Sequence, residues 1–133
     1  MKRKTLMYFI VALCAPAISQ ANPPTSSDLA SVTVFSFGAN GFIAKKMPPQ
    51  IIYKNILKNK NSTNLFENIM HDTGSTPEAK AYAACGLWEN KKRKGIYLDK
   101  KFHDLPITIL QGDILRKEKL GEVIFKIKLH GCK

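Results

Sequence analysis

Between Ser75 and Glu89 the chain reads STPEAKAYAACGLWE, and Lys80 is the one charge from Ala79 to Trp88. The start carries helix chemistry. Ser75 and Thr76 offer a hydroxyl cap, Pro77 fits the first turn, and Glu78 lies near the positive end of the helix dipole. Ala79, Tyr82, Ala83, Gly86 and Leu87 share one helical face, while Ala81, Ala84, Cys85 and Trp88 cover the rest. A helix apolar nearly all round has no solvent face and belongs at the centre of a domain. Its many small residues allow neighbouring backbones to come close. The fold must therefore be built around a buried helix at about 76–89, with partners on more than one side.

The flanking segments supply those partners. Val32 to Phe37 (VTVFSF) has the β-branched and aromatic content of a strand. Gly38 to Gly41 is a turn signal, and Phe42 to Ala44 reads as a returning strand of a short hairpin. Gln50 to Lys58 fits a short helix with Pro49 in its first turn, because Ile52 and Ile56 stack four apart, as do Tyr53 and Leu57. A second helix is expected from Asn64, with Glu67 at capping-box spacing and Leu65, Phe66, Ile69 and Met70 as its stripe. Gly74 is placed as its left-handed terminator. Glu89 to Lys94 reads as a charged loop, and Ile96 to Leu98 as a brief extended piece. Ile107 to Gln111 reads as β, followed by a Gly112-Asp113 turn, then Ile114-Leu115, and a further turn over 117–121. Val123, Phe125, Ile127 and Leu129 alternate with Lys126, Lys128 and His130, the pattern of a strand with one wet face. No internal repeat or low-complexity tract is present.

The amino terminus bears on location. Lys2, Arg3 and Lys4 precede an apolar run, Leu6 to Leu13, then Pro16 and the small residues of Ser19-Gln20-Ala21. This is the pattern of a cleavable export signal over residues 1–21. Cleavage after Ala21 leaves 112 residues, 22–133. The run is shorter than the roughly 20 residues a spanning helix needs, and no later segment approaches that length, so no transmembrane segment is expected after signal removal. Cys14 is read as part of the discarded leader, since Leu13 sits where a lipoprotein signal needs a small residue. The expected compartment is periplasmic or secreted, and oxidising. Residues 22–30, opening with the polar, Pro-rich Asn22 to Ser27, read as a flexible lead-in. Residues 31–133 read as a single globular domain.

The formal net charge is +11, of which the leader carries three, leaving +8 for residues 22–133. Such a balance suits contact with an unknown acidic protein or an anionic envelope component. Nucleic acid would suit the charge as well, but an exported protein does not meet it. Cys85 and Cys132 are the two cysteines outside the leader. An even pair in an oxidising space is expected to form one disulfide, joining the last strand to the central helix. The rival reading is a reactive thiol at Cys85.

The stretch Thr76-Pro77-Glu78-Ala79-Lys80-Ala81-Tyr82-Ala83-Ala84-Cys85-Gly86-Leu87 resembles the T-P-x-[GA]-K-x-Y-A-L-C-G-L helix of small exported bacterial proteins of unknown function, some encoded near microcin gene clusters. Phe37 to Phe42 is similar to a glycine-rich aromatic segment of the same family. The resemblance implies the same order of parts and an accessory or protective role, and supplies no catalytic residues. One departure stands out. Where the family often has V-x-x-x-x-G-C after the helix, this chain has Ile107 to Gly112 followed by Asp113. Either Cys132 has taken over the pairing or this member has no disulfide.

Chemistry-bearing residues are sparse. His71-Asp72 and His103-Asp104 could each be a base with its orienting acid, yet both are also ordinary helix-end and turn pairs. A Cys85-based hydrolase would need an accessible thiolate, whereas Cys85 lies in the most apolar helix. His71, His103, His130 and Cys132 have no metal-ligand spacing, so no metal and no cofactor are expected. Asn61-Ser62-Thr63 matches a glycosylation acceptor by chance in an exported bacterial chain. The most distinctive exposed feature is basic: Lys91, Lys92, Arg93 and Lys94 beside Trp88, with Lys100 and Lys101 nearby. As function this is a docking site for an acidic partner, with Trp88 as a stacking anchor. As structure it is a solvated loop flanking a core tryptophan.

The expected architecture is a small α+β domain, with short helices around the buried helix packed on a small antiparallel sheet from 32–44 and 107–130. The expected function is that of an exported, non-enzymatic protein binding a macromolecular partner or an anionic envelope surface. The alternative is a thiol-dependent or hydrolytic enzyme using Cys85.

Overall fold

A computed structural model describes residues 25–37 and 45–132. The predicted leader and the turn and second strand of the predicted hairpin lie outside the described residues. The chain forms α1 (Ser26–Ala30), β1 (Phe35–Ser36), α2 (Pro48–Leu57), α3 (Ser62–His71), α4 (Pro77–Glu89), β2 (Pro106–Gln111), β3 (Ile114–Lys119) and α5 (Leu120–His130). Two single 3-10 turns, Arg93–Gly95 and Lys100–Phe102, link α4 to β2. This is a small α+β domain.

The central helix is where its composition demands. Every residue from Glu78 to Leu87 is buried. α4 packs against α1, α2, α3, α5, β1 and β2. The Thr76 side chain caps it, accepting from the Ala79 N–H at 3.1 Å and donating to the Val32 carbonyl at 2.5 Å. Glu78 is buried because its Oε1 accepts the Thr108 N–H at 2.9 Å, which pins β2 to the start of α4. Lys80 is buried too, although it is the helix's one interior charge. Its Nζ donates to the carbonyls of Ile69 (3.3 Å), Met70 (2.9 Å) and Asp72 (2.5 Å) where α3 ends; the last also accepts the Ser75 N–H at 3.4 Å. Burial pushes its pKa below that of an ordinary lysine, with the Asp72 carboxylate opposing the shift and Lys101 adding to it.

The small residues of α4 permit close approach. A Cβ on Gly86 would lie 2.2 Å from the Phe66 ring, so α3 rests directly on the α4 backbone. At the other end of this helical pair, the Asn90 Nδ2 donates to the hydroxyls of Ser62 (2.9 Å) and Thr63 (3.1 Å). Phe35, Phe37, Tyr53, Phe66 and Tyr82 form a connected ring cluster with centroid spacings of 4.8 to 5.7 Å. Within it the Tyr82 hydroxyl donates to the Ser36 carbonyl and accepts the Ser36 N–H, both at 3.0 Å. Burial raises the pKa of Tyr53 and Tyr82 above the usual phenol value.

Several expectations need correcting. The segment 123–130 is helical. The period-two alternation of Val123, Phe125, Ile127 and Leu129 coexists with Leu120, Val123, Ile124 and Ile127 at helical spacing, and that second set is what the core buries. No side chain caps α5; the Leu120 and Gly121 N–H groups donate instead to the Leu105 and His103 carbonyls, both at 2.9 Å. The sheet is mixed, not antiparallel. β1 pairs parallel to β2 through Phe35 with Ile109 and Ser36 with Leu110. β2 pairs antiparallel to β3, from Pro106 with Lys119 to Gln111 with Ile114. Lys117 to Lys119 belong to β3, not to a turn, whereas Gly112 does turn the hairpin at φ 61°. α3 begins at Ser62 with Asn61 before it, one turn earlier than the Asn64 start. Gly74 is not left-handed; the turn after α3 is held by Asp72, whose Oδ1 accepts the Gly74 N–H at 3.0 Å. Ser26 to Ala30, within the expected lead-in, form α1 and bury Leu29 in the core.

The disulfide joins Cys85 to Cys132, with Cα atoms 5.6 Å apart. It ties the end of α5, not of a strand, to the middle of α4. Asp113 stands at the tip of the β2–β3 hairpin, and Cys132 provides the partner.

Candidate functional site

The basic segment is shaped by how α4 ends. The Lys92 N–H donates to the Leu87 carbonyl at 2.8 Å, and the Lys91 N–H to that of Trp88 at 3.0 Å. This is the closing pattern that ordinarily places glycine in the left-handed region. Here the residue is Lys91, at φ 58°, the one described non-glycine residue with positive φ. A side chain there costs about 1 kcal/mol against glycine. The reversal folds the following residues back along the helix end. The Arg93 guanidinium lies 5.1 Å from the centre of the Trp88 ring.

Trp88, Glu89, Lys91, Lys92, Arg93 and Lys94 line an open cleft of about 780 Å³. Among the described residues, the ion pairs join Arg116 and Lys126 to Glu118, and Lys119 to Asp104. None involves Lys91 to Lys94. Part of their charge complements the negative end of α4. The rest faces solvent.

Trp88 is half structural. It is partly buried against the core, and a Cβ on Gly131 would lie 2.8 Å from its ring. The carboxyl-terminal segment, tethered through Cys132, therefore packs on the indole. The indole N–H is buried with no hydrogen-bond partner among the described residues. Trp88 acts as the wall of the cleft, with its ring partly spent on the core.

The structure does not bring all the predicted cations together. Lys100 lines a different groove, with Tyr97, Phe125 and Lys128. Lys101 lies over Phe102, 4.9 Å from the ring centre, and Lys80 approaches the same ring at the same distance. Sequence proximity of 91–94 and 100–101 thus divides into two neighbourhoods.

Asp72, His103 and Asp104 each take a partner outside their own histidine-acid pair. Among the described residues no hydrogen bond joins His71 to Asp72 or His103 to Asp104. Asp72 supports the turn to Gly74 and Ser75. The His103 Nε2 meets the Leu98 carbonyl at 3.1 Å, and Asp104 pairs with Lys119 at 3.1 Å. No group of three His, Cys, Asp or Glu side chains converges as a metal cage among the described residues. The Cys85 sulfur is fully buried and bonded to Cys132. No described helix is long and apolar enough to cross a membrane.

No protein-family model, curated protein or solved structure matches this chain.

Proposed function

We propose that this is an exported, non-enzymatic protein that binds an acidic macromolecule through the Trp88 cleft. The observation that carries the reading is the run of four consecutive cations, Lys91 to Lys94, without an ion pair among the described residues, gathered around an aromatic wall. A recessed cleft fits a segment of an acidic chain, whose carboxylates meet the rim while an apolar side chain lies against Trp88. Lys91 supports the same reading, because glycine would relieve its backbone and the chain carries a lysine there instead. The buried cystine favours a binding protein over a Cys85 hydrolase, which needs a free thiolate. The export signal, and the resemblance of the α4 motif to proteins encoded near microcin clusters, make an accessory or protective role in the envelope the natural setting.

Capture from envelope extract at low and high salt tests this. Binding should weaken as salt screens the rim. Lys91→Gly should leave stability equal or higher while weakening capture, and Lys92→Gln and Lys94→Gln should each weaken it further, by roughly two- to fivefold per charge. Capture that ignores both salt and these substitutions overturns the proposal.

A further inference from the structure

We propose that a second surface, formed by Tyr97, Phe125 and Leu129, docks on an anionic lipid bilayer. It is separate from the Trp88 cleft and does not rest on that reading.

The observation begins with α5. Its inner face buries Leu120, Val123, Ile124 and Ile127. Its outer face should then be polar, yet Phe125 and Leu129, one turn apart, are 63% and 52% exposed. Tyr97, from the stretch after the Arg93–Gly95 turn, is 62% exposed. Tyr97 and Phe125 share a shallow groove of about 310 Å³ whose polar lining is Lys100, His103 and Lys128. No carboxylate lines it. Of the acids around it, Asp99, between Leu98 and Lys100, turns its Oδ1 to the Lys101 N–H, and on the other flank of Phe125 Asp104 is paired with Lys119, with Glu122 beside them.

An apolar ridge fringed by lysines has the chemistry of an interfacial surface. Aromatic and leucine side chains enter the boundary between headgroups and acyl chains, while lysines reach anionic phosphates. α5 has 11 residues, so the contact lies along the surface and does not span it. A second copy of the chain is a poorer occupant. Pairing this face with itself would set Lys100 and Lys128 against their own equivalents, on molecules that each carry a formal charge of +11, or +8 without the predicted leader. A recessed peptide site is poorer too, because all three apolar side chains stand more than half exposed.

The test uses the full, oxidised chain carrying Phe125→Trp, read against wild type so that the Trp88 signal and the predicted leader are common to both. On vesicles of phosphatidylcholine mixed with phosphatidylglycerol, the position-125 emission should shift to the blue and be quenched by brominated acyl chains. Adding Lys100→Gln and Lys128→Gln should weaken partitioning by about thirtyfold. A circular dichroism spectrum matching wild type shows that each variant is folded. Emission from position 125 that stays unquenched on these vesicles overturns the proposal. So does equal quenching on phosphatidylcholine alone, or a blue shift that grows with protein concentration without lipid, which would assign the face to a second copy.

Discussion

Lys80 shows how much a single side chain can hold in this molecule. It is 1% exposed, and its ammonium satisfies three carbonyls where α3 ends. Its lowered pKa shows that burial works against the charge, so the lysine is retained at an electrostatic cost. What it provides is hydrogen bonding to the Ile69 and Met70 carbonyls, last-turn acceptors with no intrahelical donor, and a second donor for the Asp72 carbonyl, which also takes the Ser75 N–H. An orphaned buried acceptor costs about 1–3 kcal/mol. Lys80→Met removes the desolvated charge but leaves the Ile69 and Met70 carbonyls bare, and should lower unfolding stability by about 2 kcal/mol. A denaturant midpoint equal to or above wild type would refute this account. Nothing in the run EAKAYAA distinguishes Lys80 from a lysine reaching solvent, since the carbonyls it meets belong to another helix. Thr76 was legible because its partner, the Ala79 N–H, is three residues away. The lysines at 91–94 were legible as a charged run, but the left-handed backbone of Lys91 was not, because lysine carries no turn signal.

At the scale of elements, the contact between α3 and α4 is set by Gly86. Alanine there would gain about 1 kcal/mol of helix propensity. It would also drive a methyl group into the fully buried Phe66 ring at 2.2 Å. Overpacking typically costs about 1–3 kcal/mol, and an overlap this deep belongs at the upper end, so the clash wins. Gly86→Ala should therefore destabilise by about 2 kcal/mol, and Phe66→Leu added to it should recover part of that loss in a double-mutant cycle. Strictly additive losses would show that Phe66 is not the obstacle. α2 and α4 announced themselves through proline in the first turn and apolar residues at helical spacing. α5 did not. Its sequence carries both a two-residue and a helical period, its β-branched residues favour a strand, and the groups that satisfy its first N–H donors come from His103 and Leu105. Only the burial of Leu120 and Ile124 against the core selects the helix.

Across the whole molecule the Cys85–Cys132 bond spans 47 residues of sequence and encloses the 3-10 turns, β2, β3 and α5. Closing a loop of that length stabilises by about 4 kcal/mol in the chain-entropy account, a large share of the 5–15 kcal/mol typical of a domain. Reduction should lower the unfolding free energy by about 2–4 kcal/mol in urea titrations run with and without reductant. The native protein should have a mass two hydrogens short of the dithiol and take up no alkylating agent. A readily alkylated Cys85 would restore the thiol-enzyme reading. The sequence by itself determined a central helix, because a segment with no polar face has nowhere to lie except inside. It likewise determined the proline-led start of α2, the hydroxyl cap of α4, the charged character of 91–94 and the expectation that two cysteines pair, all of which depend on composition or on neighbours within a few residues. Tertiary structure alone decided that β1 runs parallel to β2, that 120–130 is a helix, that Lys80 is an internal cap, and that Tyr97 and Phe125 share one basic-rimmed face. Each of these depends on partners far along the chain, and local periodicity carries no information about which distant carbonyl or side chain will arrive.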